Sequence, residues 1–153
     1  MQIVFAYIHY RNKLTMYLKR ISRITVIGGT LLIWAIKFLI RPYVHIPNGL
    51  KPLVGFAPNL IGSFLLPFGA CWFFQKYFRL QTAADLVFTC CFGLLLVIIN
   101  EYLQRIPIFG RTFDYLDIFS SVAGVFIGHL VFARLMAKQY AQSQIRMESS
   151  VNN

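Results

Sequence analysis

Four apolar segments, each close to the thickness of a bilayer, leave this chain few folds to choose from. They cover residues 24–40, 58–78, 84–104 and 113–136. A hydrocarbon core of about 30 Å takes roughly 20 helical residues to cross. Within it, only structures that satisfy their own backbone hydrogen bonds persist. The expected fold is therefore an all-α integral membrane protein, with residues 24–136 forming a bundle of four transmembrane helices. The chain is 58% hydrophobic and 13% charged, against about 25% charged for a globular domain. The formal charge of +10 is compatible with nucleic-acid binding. Here, however, the basic residues punctuate apolar runs and do not coat one surface, so no nucleic-acid partner is expected.

Each segment carries its own boundary signals. Residues 1–23 mix apolar side chains with Arg11, Lys13, Lys19, Arg20 and Arg23. The opening apolar run is too short to span, so a basic helix lying in the membrane interface is expected. Because the apolar start precedes the basic cluster, it does not read as a cleavable signal. The pair Arg41-Pro42 is expected to end the first span. The connection 41–57 holds three prolines, two glycines and an isolated His45, read as structural or solvated. Pro58 suits the first turn of the second span, and Pro67 should kink that span midway. Asp85 sits near the start of the third span, where the helix dipole favours it. The tail 137–153 is polar and is expected to lie in the cytoplasm.

Cys71, Cys90 and Cys91 lack metal-ligand spacing, and neighbours in sequence make a poor disulfide. They read as small buried apolar side chains. No metal or cofactor motif is present.

Charge sets the orientation. In a four-span arrangement one side would hold Arg11, Lys13, Lys19, Arg20, Arg23, Lys76, Arg79, Arg134, Lys138 and Arg146. The other would hold Lys37, Arg41, Lys51, Arg105 and Arg111, so the split is ten to five. Both termini are therefore expected inside.

Polarity concentrates in residues 100–117, which contain three of the chain's five acidic residues, Glu101, Asp114 and Asp117. Glu101 and Gln104 share one face at the end of the third span, and Asp114 and Asp117 share one at the start of the fourth. Arg105 and Arg111 stand between them as counter-ions. Such charges are expensive next to hydrocarbon, so they should pair or reach water. An Arg–carboxylate network pinning the helix hairpin, a ligand site and an acid–base pair all fit this pattern. Gly124-x-x-x-Gly128 is a small-residue pattern for close helix packing.

The run Glu101-x-x-Gln104, Arg111-x-x-Asp114-x-x-Asp117, Gly124-x-x-x-Gly128 resembles the signature of the VanZ-like family of small bacterial membrane proteins. The likeness covers about residues 84–132. After the second aspartate's turn, where the family often has a small residue or Asn, the chain has Ser120-Ser121. It also has Lys51 and Asn59 at an earlier loop–helix junction without the family's accompanying histidine. The resemblance implies an inner-membrane protein acting at the outer face, on or beside envelope lipids or glycopeptides, in a family tied to teicoplanin resistance but to no established reaction. Glu101, Gln104, Arg105, Arg111, Asp114 and Asp117 would form the polar ligand site, and membrane lipids would surround the bundle. Two other classes compete with this reading. The small size and the Gly124/Gly128 face suit an accessory subunit of a larger membrane complex, or an oligomer. An integral-membrane enzyme would use Asp114 or Asp117 as base and Arg111 to hold a phosphate-bearing lipid, although no diagnostic nucleophile is evident.

Overall fold

Long stretches of apolar side chains, with prolines confined to a few positions, favour helices that close their own backbone hydrogen bonds. The computed structural model describes residues 2–74, 80, 82–103 and 115–151. It is all-helical, with no strand among the described residues. The order is α1 (Gln2–Ala35), a π-helical turn (Ile36–Ile40), α2 (Arg41–Tyr43), α3 (Lys51–Phe64), α4 (Leu66–Phe73), α5 (Ala83–Leu103) and α6 (Tyr115–Val151). Three stretches are long and apolar enough to cross a membrane: Met16–Tyr43, Ala83–Leu103 and Tyr115–Gln142. The pair α3–α4, bent by 41°, makes up to four.

Several boundaries differ from expectation for local reasons. No helix break separates residues 1–23 from the first apolar run, because α1 continues unbroken to Ala35. Arg41-Pro42 does not stop the helix either. The turn before it widens, with the Arg41 N–H bonded to the Ile36 carbonyl, and the helix ends after Tyr43 at extended Val44. A widened turn of this kind lets a helix absorb an irregular position. Much of the proline-rich connection is itself helical, since α3 begins at Lys51, with Pro52 in its first turn. That start places Pro58 inside α3 and not at its beginning. The last helix, α6, continues past the fourth apolar run through the polar tail to Val151.

The kink predicted from Pro67 falls two residues earlier, at Leu65, and Pro67 opens α4. Leu65 bridges the bend, its N–H donating to Ile61 O at 3.1 Å while its carbonyl accepts from Gly69 N–H at 2.7 Å. At the start of α5, Thr82 and Asp85 form a reciprocal cap. Thr82 N–H donates to Asp85 Oδ2 at 2.8 Å and Asp85 N–H to Thr82 Oγ1 at 3.1 Å. This satisfies two donors that a helix start otherwise leaves open.

Glycine contacts define how the helices run. A methyl group built on Gly29 would meet the Leu65 δ-carbons at 2.7 and 2.8 Å, and one on Gly62 would lie 3.9 Å from Ile33 Cδ1. Numbers rising on one side while falling on the other make α1 antiparallel to α3. For α6 both numbers rise together: Gly124 faces Leu60 and Ser63, and Gly128 faces Phe64. Helices α3 and α6 are therefore parallel neighbours, with their N-termini at the same end. The central core joins Leu18, Phe68, Cys71, Leu86, Cys90, Val125, Phe132 and Met136. The Phe68 and Phe132 rings meet edge-on at 5.3 Å, the favoured geometry for an aromatic pair. Many large apolar residues point outward, among them Trp34, Phe88, Phe119 and Phe126.

Candidate functional site

Glu101 lies in the last turn of α5 and is buried, with 5% of its surface exposed. Asp117 lies in the first turn of α6 and is half-buried. Its backbone carbonyl accepts a hydrogen bond from Ser120 Oγ at 2.9 Å. The adjacent Ser121 is also buried, and its hydroxyl has no hydrogen-bond partner among the described residues.

The helix register relates these groups. Gly93 of α5 packs on Leu66, and Gly128 of α6 packs on Phe64. Leu66 lies two residues beyond Phe64, so Gly93 is about level with Leu130. Glu101 follows Gly93 by eight residues, about 12 Å along α5, and Asp117 precedes Gly128 by eleven, about 16 Å along α6. Glu101 thus closes α5 and Asp117 opens α6. The other residues of the expected cluster, Gln104, Arg105, Arg111 and Asp114, lie outside the described residues.

Gly124 and Gly128 sit at the tightest helix contact. A methyl group on Gly124 would press into the Leu60 carbonyl oxygen and lie 3.0 Å from Ser63 Cβ. On Gly128 it would press into the Phe64 carbonyl oxygen and lie 3.1 Å from its carbonyl carbon. Only glycine lets backbone approach backbone this closely.

A second polar feature was not apparent as a cluster in the sequence. Arg41, Val44, His45, Ile46, Lys51, Val54 and Gly55 line a pocket of about 350 Å³. Arg41 Nη2 donates to the carbonyls of Val54 at 3.0 Å and Gly55 at 2.6 Å. Pro58 explains why Val54 needs this donor. Having no N–H, it cannot supply the usual i→i−4 bond to that carbonyl. Arg41, a residue outside α3, fills the gap. The available sequence signal was a helical proline whose i−4 carbonyl required an external donor. His45, read as a lone loop histidine, shares this pocket with two basic side chains.

All three cysteines are free. Cys71 and Cys90 are buried as expected, whereas Cys91 is exposed on the outer surface of α5. Among the described residues, no three His, Cys, Asp or Glu side chains converge on a metal position. Comparison with protein-family models, curated proteins and solved structures finds no match to this chain.

Proposed function

We propose that this chain is a four-span, VanZ-like protein of the bacterial inner membrane. Both termini are cytoplasmic, and a polar site at the outer face engages envelope lipids or glycopeptides. Three apolar helices and one bent pair provide the spans, and the outward-facing aromatic and aliphatic side chains suit a lipid surround. The observation that carries the functional reading is Glu101, a carboxyl buried in the last turn of a mostly apolar helix, with Asp117 in the first turn of the next. An ionisable group at that depth is expensive to maintain and is by default a functional position. The VanZ-like motif supports the same end of the molecule. No reaction is assigned.

The test is teicoplanin susceptibility in a Gram-positive host expressing wild type, Glu101→Gln or Asp117→Asn at matched membrane levels. Wild type should protect, and both substitutions should abolish protection. A correctly inserted wild type that gives none would overturn the reading. An accessory-subunit role is the second reading. Its support is α1, whose apolar window is only 6% buried within the chain and leaves a long face open to a partner membrane protein. Stable co-purification with one such partner would favour it.

A further inference from the structure

The pocket at the start of α3 collects positive charge, with no acidic side chain among the described residues that line it. Its walls include Arg41, His45 and Lys51. Arg41 is the best defined of the three. A guanidinium carries five N–H donors, and here Nη2 is committed to the carbonyls of Val54 and Gly55. The Nε and Nη1 hydrogens have no partner among the described residues. Two carbonyl contacts therefore fix the plane of the group. Among the described residues, neither His45 nor Lys51 has a side-chain hydrogen bond or ion pair.

The backbone adds to the same field. Helix α3 is 14 residues long and starts at Lys51, with no side-chain cap at its N-terminus. The positive end of its dipole accordingly lies at the pocket. The remaining walls include Val44, Ile46 and Val54, which are apolar. A volume of about 350 Å³ is at the small end of the range for ligand pockets. It accommodates a compact anion with an apolar flank.

We propose that Arg41, His45 and Lys51 bind a phosphate group, presented either by an anionic phospholipid or by a small soluble phosphate ester. Arg41 supplies one charge-assisted N–H, from Nη1 or Nε, to a phosphate oxygen, Lys51 a mobile charge and His45 a further N–H. The apolar walls accept the glycerol side of a lipid. The parallel packing of α3 and α6 puts this pocket at the same end of the bundle as Asp117. The proposal names a ligand class for that end and in this respect builds on the reading above, but it uses different side chains.

The experiment uses the full chain purified in neutral detergent. Binding of short-chain phosphatidic acid, short-chain phosphatidylcholine, inorganic phosphate and glycerol 3-phosphate is measured by thermophoresis. Wild type should bind phosphatidic acid saturably and phosphatidylcholine much more weakly. Lys51→Gln and His45→Gln should each weaken phosphatidic acid binding, Lys51→Gln by about tenfold, the scale of one charge-assisted hydrogen bond. Lys138→Gln, far along α6, should bind as wild type does. Competition by inorganic phosphate or glycerol 3-phosphate would support the site and assign its natural ligand to the soluble esters. Binding of the lipid alone would support it and assign the ligand to a headgroup. The proposal is overturned if no phosphate probe binds, if Lys51→Gln binds like wild type at unchanged helicity, or if Lys138→Gln weakens binding equally. Glu101→Gln is carried as a separate arm. Normal phosphate binding in that variant, alongside lost teicoplanin protection, would show that the two sites stand or fall independently.

Discussion

Replacing Gly128 with alanine tests the close backbone contact between α3 and α6. The added methyl would collide with the Phe64 carbonyl oxygen and lie 3.1 and 3.2 Å from its carbonyl carbon and Cα. These are backbone atoms of a neighbouring helix, so no rotamer change relieves the collision and α3 and α6 must separate. Overpacking of this kind costs about 1–3 kcal/mol. Alanine recovers up to about 1 kcal/mol over glycine through helix propensity, leaving a net loss of roughly 1–2 kcal/mol. Gly124→Ala should lose a similar amount against the Leu60 carbonyl. Once the helices have parted for one methyl the second meets less resistance, so the double variant should fall short of the sum. Gly29→Ala should cost less, because its obstacle is the end of the flexible Leu65 side chain. Gly28→Ala, with nothing within 4 Å, should be neutral or stabilising. The assay is reversible unfolding in mixed detergent micelles followed by circular dichroism. If Gly128→Ala is as stable as wild type, or Gly28→Ala loses as much, backbone-to-backbone packing of α3 on α6 is refuted.

Two further outcomes follow from the packing. Phe132→Ala removes a fully buried ring from its edge-on contact with Phe68 and should cost about 3–5 kcal/mol. Phe126→Ala, on the exposed side of the same helix, should cost less than about 1 kcal/mol in the same unfolding assay. Arg41→Gln should cost about 1 kcal/mol by leaving the Val54 carbonyl without its donor. In a Pro58→Ala background the restored N–H reaches Val54 O, so the same change should cost measurably less. Equal costs in the two backgrounds, read from a double-mutant cycle, would show that Arg41 does not stand in for the missing N–H.

The helices were legible in the sequence because their signals are local. The length of an apolar run, the Gly124-x-x-x-Gly128 spacing and the Pro67 kink each depend on residues within a few turns of one another. The Thr82–Asp85 cap is equally local, although Asp85 was read only through the helix dipole. Helix ends were less legible. Pro58 looks like a helix start by composition, yet it lies inside α3 because Arg41, a distant residue, satisfies the carbonyl that proline abandons. Arg41-Pro42 looks like a stop, yet a widened turn carries the helix past it. In the polar stretch the residue types were plain, but their relative depth was not. The level of α5 is set only by the contact of Gly93 with Leu66, and that of α6 by Gly124 and Gly128 on α3.

By itself, then, the order of amino acids determined an all-helical chain and the segments long and apolar enough to cross a membrane, because each helix closes its hydrogen bonds within its own segment. Only the tertiary structure decided that α3 and α6 run parallel, that their backbones touch at two glycines, and that Arg41, His45 and Lys51 line a common pocket. Those relations join residues far apart in the chain, and no local hydrogen bond or periodicity encodes them.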